Sequence, residues 1–441
     1  MKVLSIESLL VLGVILPTGA DAAGRYHNTN QSAEWVRTLN RNASTDIDAV
    51  FYNPAATALF EDGLHLYLSN QMILQNRYVS DSTDLESMGL SAGLHDEYQG
   101  ELFAPLFPSF YAAYKTGSLA VSAGFGVIGG GGSVTYEEGL PSFHLLAARP
   151  VGVPGAIANA LDPSQPSTAI DLSEVDMKFE GDSVFHSAQL GGAYAVNDWI
   201  SLGLVGRLVF ASESTKGTLR ADYDLVGVGR SGLNKIASIE TKRSGMGFGL
   251  MGSAHLRPIK DLDVSVGYQW YDTMELENET EIDDTGMFPD GTKVKKTLPM
   301  VGTVGVAYAI LPELRAAASL TYGFDRQTDW DGAEKGFRHA WEPGISFEYT
   351  VLENLEVSIG YLFAKDGRRF IGQSDLDNSL NAHTLGGGGT YSLLNKTVDV
   401  TLGFAYTLYP EKLNHKDADL ATQTYNRNSM LFALGIGYKA F

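Results

Sequence analysis

From Gly63 onward, apolar residues recur at every second position, and this alternation constrains the fold more than any other feature of the sequence. In one segment, 355–363, the alternating apolar residues are Leu355, Val357, Ile359, Tyr361 and Phe363. Successive side chains of a β-strand point to opposite faces, so such a strand has one apolar face and one face of small or polar residues. The second face is rich in Gly, Ser and Thr and is poorly suited to packing on another sheet. This favours a membrane-embedded wall over a soluble sandwich.

The chain contains about fourteen such segments, and the connections between them alternate between short turns and long polar loops. The predicted strands cover residues 63–79, 106–116, 118–129, 183–196, 199–214, 242–257, 262–276, 293–309, 313–326, 338–351, 354–366, 380–393, 397–410 and 428–441. Short turns and long external loops are typical of outer-membrane barrels, and an even strand number places both termini in the periplasm. The sequence therefore predicts an all-β fold, a transmembrane antiparallel β-barrel of about 14 strands formed by residues 63–441.

Residues 1–22 have the features of a Sec signal peptide. An apolar run at residues 9–16 follows Lys2 and precedes the small-x-small pattern Ala20-Asp21-Ala22. The run is shorter than the ~18 residues that a spanning helix needs. Cleavage after about Ala22 is predicted, with the mature protein in the outer membrane of a Gram-negative bacterium.

The composition argues against several function classes. A net charge of −20 disfavours nucleic-acid binding, which needs basic patches. The chain has no cysteine, so the hydrogen bonds of a closed barrel would have to supply the stability that disulfides give other secreted proteins. Four closely spaced aspartate pairs lack the EF-hand spacing and are interpreted as solvated turns. These pairs are Asp46/Asp48, Asp261/Asp263, Asp375/Asp377 and Asp417/Asp419. No metal and no cofactor is expected.

Two glycine patterns resemble enzyme motifs but lie in the wrong context. Residues 124–129 match a dinucleotide-binding fingerprint, yet they continue an alternating strand and no helix follows. Residues 89–93 match a nucleophile elbow, yet they lie in a predicted external loop. We therefore expect the protein not to be an enzyme. An outer-membrane lipid hydrolase is kept as an alternative, and it requires an inward serine near a histidine on an adjacent strand.

Residues 23–62 precede the first strand and show no sustained alternation. A segment of this length ahead of a barrel fits in the lumen, so it is predicted to form an N-terminal hatch, or plug. A periplasmic tail is the alternative. The segment ends in Asn53-Pro54-Ala55 shortly before the first strand. Proline fixes φ and asparagine hydrogen-bonds nearby backbone, which would give a rigid corner.

The junction at residues 42–68 resembles the hatch-to-first-strand junction of the FadL/OmpP1/TodX family, in which Asn-Pro-Ala occupies the same place. The resemblance extends over the whole mature chain, mostly through topology. It implies an outer-membrane channel for long-chain fatty acids or other hydrophobic molecules, with Asn53, Pro54 and Ala55 as the hatch motif.

A run of glycines ends the third predicted strand, at Gly126, Gly129, Gly130, Gly131 and Gly132. Glycine weakens strand pairing and permits bulges. In the FadL family the third strand bends inward and opens a lateral hole in the wall, and the run falls in the corresponding strand. A glycine-rich start of the following loop is the alternative.

The segment 142–161 is unusually apolar for an external loop. Its candidate ligand-binding residues are Leu145, Leu146, Val153, Ile157 and Leu161. Exposed apolar patches often mark binding sites, and in the family long external loops form a groove that captures substrate. In the best-known members the longest loop follows the fifth strand, whereas here it follows the third. The loop could also simply pack over the barrel mouth.

Strand parity points Arg207 and Arg315 into the lumen, opposite Leu208 and Leu314. Either guanidinium could bind a carboxylate headgroup through paired hydrogen bonds, or could pair with a carboxylate of the wall. The predicted function is transport of hydrophobic molecules, most simply long-chain fatty acids, by a monomer in contact with outer-membrane lipid and lipopolysaccharide. Transport of aromatic hydrocarbons and a passive porin for polar solutes are the alternatives.

Overall fold

The computed structural model describes residues 27–81, 97–143, 170–225, 229–367, 375, 378–416 and 421–440. Sixteen strand segments form one sheet. They are β1 (Gly63–Asp81), β2 (Glu97–Thr116), β3 (Leu119–Tyr136), β4 (Ile170–Asn197), β5 (Ile200–Leu225), β6 (Gly229–Leu256), β7 (Leu262–Tyr271), β8 (Thr273–Asp283), β9 (Lys293–Thr297), β10 (Val301–Leu311), β11 (Leu314–Gly323), β12 (Ala340–Leu352), β13 (Leu355–Ala364), β14 (Ala382–Leu393), β15 (Val398–Lys416) and β16 (Ala421–Ala440).

The sheet closes on itself as an antiparallel barrel. Each wall strand pairs with its neighbours in the chain, and β1 pairs with β16 from Leu64↔Ala440 to Asp81↔Gln423. Because β7 runs into β8 and β9 into β10, the sixteen segments make fourteen wall strands. The predicted fold class is confirmed. Except between β2 and β3, where the pairing has a gap described below, closure pairs the strand edges and satisfies the backbone inside a bilayer.

Several strands are longer than predicted. β4, β5 and β6 begin or end well beyond the predicted bounds of 183–196, 199–214 and 242–257. The outward face of β5 is apolar at Leu208 and Phe210 but carries Lys216 and Arg220 further on. A strand that leaves the membrane loses its apolar face, so the alternation from which strands were predicted disappears while the hydrogen-bonded ladder continues.

The outer face of the wall carries large exposed apolar side chains. On β16 these are Met430, Phe432, Leu434, Ile436 and Tyr438. Inward neighbours such as Leu431 and Ala433 are buried. This is the apolar-out pattern of a membrane-spanning barrel. No helix among the described residues is both long enough and apolar enough to cross a bilayer.

Residues 27–62 lie inside the barrel and are called here the luminal segment. They contain helix α1 (Ala33–Thr38), helix α2 (Ala49–Tyr52) and a 3₁₀ helix, Pro54–Leu59. Ser32 caps α1 by accepting a hydrogen bond from the Trp35 amide at 2.9 Å, and Leu39 ends it in the left-handed conformation, with φ 57°. Helices this short satisfy only part of their own backbone, and side chains of the wall supply further partners: Ser201 donates to the Ala55 carbonyl and Ser358 to the Arg37 carbonyl.

Candidate functional site

The helical part of the luminal segment, residues 32–59, lies directly on glycines of the wall. A Cβ atom at Gly203 would be 2.5 Å from the Ala55 amide nitrogen, and one at Gly360 would overlap the Thr38 carbonyl oxygen. Further inward glycines in similar contact with segment backbone are Gly305, Gly386 and Gly403. At these places, therefore, the glycine-rich inner face inferred from the sequence makes room for the backbone of the luminal segment. Only a residue without a side chain permits that approach.

Buried charges hold the same part to the wall. Arg37 donates to Glu34 at 2.5 Å and to Glu356 at 2.7 Å, and it lies 3.0 Å from Glu348. Within the segment itself, Arg41 donates to both oxygens of the fully buried Asp48, at 2.9 and 2.8 Å, and it lies 4.0 Å from Glu348 of the wall. Pairs of this kind are costly to break, because a partner left alone is a buried, unpaired charge.

The Asn53-Pro54-Ala55 motif is held by β5 and β6. The Asn53 side-chain amide donates to the Ser44 carbonyl at 3.1 Å and to His255 Nδ1 at 2.9 Å. Since Nδ1 accepts, the proton of this imidazole lies on Nε2, which donates to Asp263 at 3.0 Å. The Ala55 amide donates to Ser253 at 2.9 Å, and its carbonyl accepts from Ser201 at 2.7 Å.

The interpretation of the aspartate pairs as solvated turns is wrong for three members. Asp48 is fully buried and binds Arg41, and Asp263 is 7% exposed and binds His255 and Arg257. Asp375 is 4% exposed and accepts a hydrogen bond from the Ser142 amide at 2.6 Å. None of the three makes a metal site: among the described residues, no group of three or more histidine or acidic side chains could hold an ion. Sequence spacing alone does not reveal which aspartate meets a cation across the lumen.

The serine-histidine pair that a lipid hydrolase would require has a partial counterpart. Inward Ser265 on β7 is in register with His255 on β6, and His255 binds Asp263. The Ser265 hydroxyl, however, donates to the Asn42 carbonyl, and both ring nitrogens of His255 are occupied by Asn53 and Asp263. The group therefore lacks the nucleophile-to-base hydrogen bond of a catalytic triad and instead anchors the luminal segment.

The wall is interrupted between β2 and β3. The two strands pair from Thr116↔Leu119 to Phe110↔Phe125 and again from Leu102↔Val134, but residues 103–109 and 126–133 do not pair with each other. β3 keeps its pairing with β4 through two bulges, after Val127 and after Gly130. The glycine run thus lies within β3, which continues to Tyr136. Gly130, Gly131 and Gly132 have φ of 65°, 140° and 138°, which only glycine adopts readily.

Where β3 has no backbone partner on β2, side chains and backbone of the luminal segment hydrogen-bond to it instead. The Asn28 side chain donates to the Gly130 carbonyl at 2.6 Å, and its backbone amide donates to the Ile128 carbonyl at 2.8 Å. The Gln31 side chain donates to the Val127 carbonyl at 2.6 Å. The free edge of β3 and residues 27–31 are therefore in direct contact. The sequence pattern gave no indication of Asn28 or Gln31.

Apolar side chains fill the lumen beside this interruption. The largest buried cluster joins Trp35 and Phe51 of the luminal segment to inward residues of many wall strands. Its wall members include Phe107, Ile128, Phe179, Phe185, Met274, Leu276, Leu298, Leu362 and Tyr425. A cavity of about 20 Å³ lies against Phe51 and Gln269, with room for about one water. At the end of the barrel that carries the short turns, a charged vestibule of about 720 Å³ is lined by residues such as Arg37, Glu61 and Lys439.

Arg207 points into the lumen and is 1% exposed. Its guanidinium donates to Gln189 at 2.9 Å, to Gln269 at 2.6 Å and to the Phe51 carbonyl at 3.2 Å, and it lies 4.4 Å from the centre of the Phe51 ring. All of these partners are neutral, and no carboxylate among the described residues forms an ion pair with Arg207. Burial, reinforced by the charge of Arg207, lowers the pKa of neighbouring His27 to about 4. At neutral pH the arginine charge is thus uncompensated by the side chains around it.

Arg315 also points inward, but it is engaged by carboxylates. It donates to Glu348 at 3.0 Å and lies 3.5 Å from Asp263. Of the two roles considered for this arginine, the wall ion pair is the one observed. The apolar loop candidates Leu145, Leu146, Val153, Ile157 and Leu161 lie outside the described residues.

Comparison with known proteins finds no matching family model and no matching curated protein. Solved structures do match. A Pseudomonas aeruginosa FadL homologue superposes with a TM-score of 0.66 at 13% identity, covering 94% of this chain and 99% of that one. The chain therefore has the fold of the FadL barrels.

Two toluene transporters share the FadL fold. TbuX of Ralstonia pickettii superposes with a TM-score of 0.56 at 16% identity, covering 90% of this chain and 94% of that one. TodX of P. putida gives 0.57 at 12% identity, covering 90% and 95%. At these identities the likeness establishes the architecture, and the cargo has to be inferred from the residues inside the barrel.

Proposed function

We propose that this protein is an outer-membrane transporter that moves hydrophobic small molecules inward, with long-chain fatty acids as the cargo class. The observation that carries the proposal is the buried apolar cluster, which extends through the lumen to the interruption between β2 and β3. Apolar side chains offer a greasy molecule a favourable environment that a water-filled pore cannot. The work is binding and release, so no catalytic group, metal or cofactor is required.

Arg207 supports the proposed cargo class. A buried cation without a counter-ion is expensive, and a ligand carboxylate would supply the missing negative charge through charge-assisted hydrogen bonds. Neutral His27 beside it would not compete for that carboxylate. An alkyl chain would then lie in the apolar cluster. Arg315 is a weaker candidate for the headgroup, since Glu348 and Asp263 already neutralise it.

The proposed path uses the predicted hatch. Residues 23–62, after removal of residues 1–22, close the lumen, and Asn53, Pro54 and Ala55 fix their attachment to β5 and β6. Withdrawal of residues 27–31 from β3 would free the edge at Gly126 and Gly129–Gly132. Cargo would then leave sideways into the membrane. The small cavity beside Phe51 supports a closed resting state that opens when cargo enters.

The second candidate cargo is an aromatic hydrocarbon, favoured by the likeness to TbuX and TodX. A passive porin is less well supported, because the luminal segment occupies the interior. A monomer surrounded by outer-membrane lipid and lipopolysaccharide is the proposed working form, with the external loop around Leu145, Leu146, Val153, Ile157 and Leu161 as the first contact for cargo.

The test is uptake of labelled oleate and labelled toluene by Gram-negative cells that lack their own channels for both. Oleate uptake should be saturable and should fall at least tenfold in Arg207→Gln, while toluene uptake stays unchanged; Arg220→Gln, on the exposed outer face, is the matched control. Asn53→Ala with Pro54→Ala should lower uptake of any cargo without preventing assembly. An assembled barrel without oleate uptake refutes the fatty-acid assignment, and equal loss of both cargoes in Arg207→Gln makes that arginine structural.

A further inference from the structure

A single aromatic ring fills the interruption in the wall. Phe107 lies in the unpaired stretch of β2 and is 3% exposed, whereas nearby Phe103 and Leu106 are 59% and 75% exposed on the outer face. A Cβ atom at Gly131 would lie 2.8 Å from a ring carbon of Phe107, so the ring rests on the bare backbone of β3. The glycine that lets β3 bend therefore also makes room for this ring.

A polar residue on the lipid side holds that stretch of β2. Asn70 has the outward parity of Leu68 and Leu74 on β1, where an unpaired amide in hydrocarbon would be costly. Its Oδ1 accepts from the Phe107 backbone amide at 3.0 Å, and its Nδ2 donates to the Pro105 carbonyl at 3.0 Å. The β1–β2 register slips at this place, between Gln71↔Phe107 and Ile73↔Ala104. One side chain thus satisfies two backbone groups that the slip leaves unpaired.

We infer that Phe107 is the lateral gate of the barrel and that Asn70 is the positioning residue that keeps it closed. The inference rests on the proposed function, in which cargo leaves through the β2–β3 interruption. When residues 27–31 leave the β3 edge, the ring still separates lumen from lipid. Rotation of this ring away from Gly131 breaks no backbone pairing with β3, because none exists there.

The neighbours of Phe107 are poorer candidates for a moving part. Leu102 belongs to a stretch whose backbone is paired with Val134, so it is fixed. Ala104 packs near Gly132 but is too small to block a passage. The size of the opened passage is then set by residue 107, so this position also selects cargo by width: an alkyl chain passes a partly turned ring more easily than a fused aromatic system does.

The gate is tested by labelling from the membrane, in proteoliposomes of the full mature chain. The chain has no native cysteine, so Val127→Cys, in the unpaired stretch of β3 and 3% exposed, serves as the only reporter. A maleimide that partitions into lipid should label it slowly. Adding Phe107→Ala should raise the rate at least tenfold, Asn70→Leu should raise it several-fold, and the outward variant Phe103→Ala should leave it unchanged. If the protein with both Val127→Cys and Phe107→Ala is labelled no faster than the protein with Val127→Cys alone, the assignment of Phe107 as the gate is wrong.

Uptake measured in parallel separates the gate from the function. Phe107→Ala should speed oleate uptake and Phe107→Trp should slow it. If labelling responds as expected but no variant takes up oleate or toluene, the transport proposal fails and the gate stands. If the parent takes up oleate but substitutions at residue 107 change neither the labelling rate nor the uptake rate, transport stands and the gate is refuted. Phe107→Leu, which keeps an apolar filler, provides a folded variant should Phe107→Ala fail to assemble, and it should give intermediate values.

Discussion

The two parts of the luminal segment are attached to the barrel in different ways. The helical part, residues 32–59, has its backbone on inward glycines, and its Arg37 forms ion pairs with buried Glu348 and partly exposed Glu356 of the wall. The N-terminal end, residues 27–31, is held by neutral hydrogen bonds, chiefly those of Asn28 and Gln31 to the β3 edge. No ion pair fixes the described residues of this end.

The difference predicts which part would move in the proposed function. Separating a buried ion pair costs about 3–5 kcal/mol when one charge is left alone, whereas a neutral hydrogen bond contributes about 1 kcal/mol. Release of the N-terminal end should therefore cost less than release of the helical part. In the proposed function the luminal segment therefore acts as a fixed plug with a detachable end, and that end is the portion in contact with the wall interruption.

The most disruptive change should be Gly360→Ala. The new methyl group would overlap the Thr38 carbonyl, so either α1 lifts from the wall or β13 shifts, at a cost of about 3 kcal/mol. We expect the free energy of unfolding to be lower when the protein, reconstituted in lipid vesicles, is titrated with urea. We also expect ions to leak through the barrel. Gly252→Ala is the control, because nothing lies within 4 Å of its added methyl group. Unchanged stability and conductance in Gly360→Ala would show that the helical part is loosely held.

A disulfide between Val36→Cys and Gly403→Cys should leave transport intact. The Val36 Cβ lies 3.1 Å from the Cβ position at residue 403, below the ~3.5–4.5 Å of a relaxed disulfide, so α1 must shift outward by a few tenths of an ångström to form the bond. Cross-linking α1 to β15 constrains the unfolded chain by roughly 2–3 kcal/mol, and the crowding at Gly403 offsets part of that gain. Oleate uptake should be the same with and without reductant if the helical part is fixed. If oxidation blocks uptake and reductant restores it, the helical part must move during transport, and it would then not be the fixed part of the luminal segment.

The barrel could be predicted from sequence because its signal is local. Period-two alternation and the alternating turn lengths give the strands and their order. The same signal fails where strands leave the lipid, as at Lys216 and Arg220, since nothing then distinguishes the two faces. The contact surface of the luminal segment on the wall could not be predicted. The sequence shows that Gly360 faces inward, but not whether it meets water or the Thr38 carbonyl, because that depends on where a distant segment lies.

The candidate site was predictable only in part, for the same reason. Asn53 and the glycine run are short motifs in characteristic places, so each could be named as a candidate from the sequence. The partner of Asn53 is His255, about two hundred residues away, and histidine on a strand has no special pattern. Asn28, Gln31 and Asn70 are ordinary amides in sequence. They become important only because strand bulges leave backbone groups without partners beside them.

Removing the amides of the N-terminal end should have a moderate effect. Asn28→Ala and Gln31→Ala each delete a hydrogen bond to β3, worth about 1 kcal/mol. Docking of this end can be followed as the labelling rate of Thr29→Cys by a water-soluble maleimide, since Thr29 is 8% exposed. Each substitution should raise the rate about fivefold. Asn40→Ala, which deletes an amide contact of the helical part to Gly344, should not. Equal effects from all three would mean that the segment opens as one unit.

The smallest effect should come from His27. Its pKa is lowered from 6.5 to about 4 in the docked state, by burial and by the charge of Arg207. The undocked imidazole therefore takes up a proton first as the pH falls through 6.5, and docking weakens between pH 6.5 and 4, with less than about 1 kcal/mol lost between pH 7 and pH 6. Labelling of Thr29→Cys should thus rise about threefold over that unit, after correction for the intrinsic reactivity of the thiol. His27→Gln should remove this dependence. A pH response that persists in His27→Gln would have to come from the carboxylates of the helical part, and the distinction between a fixed plug and a detachable end would then fail.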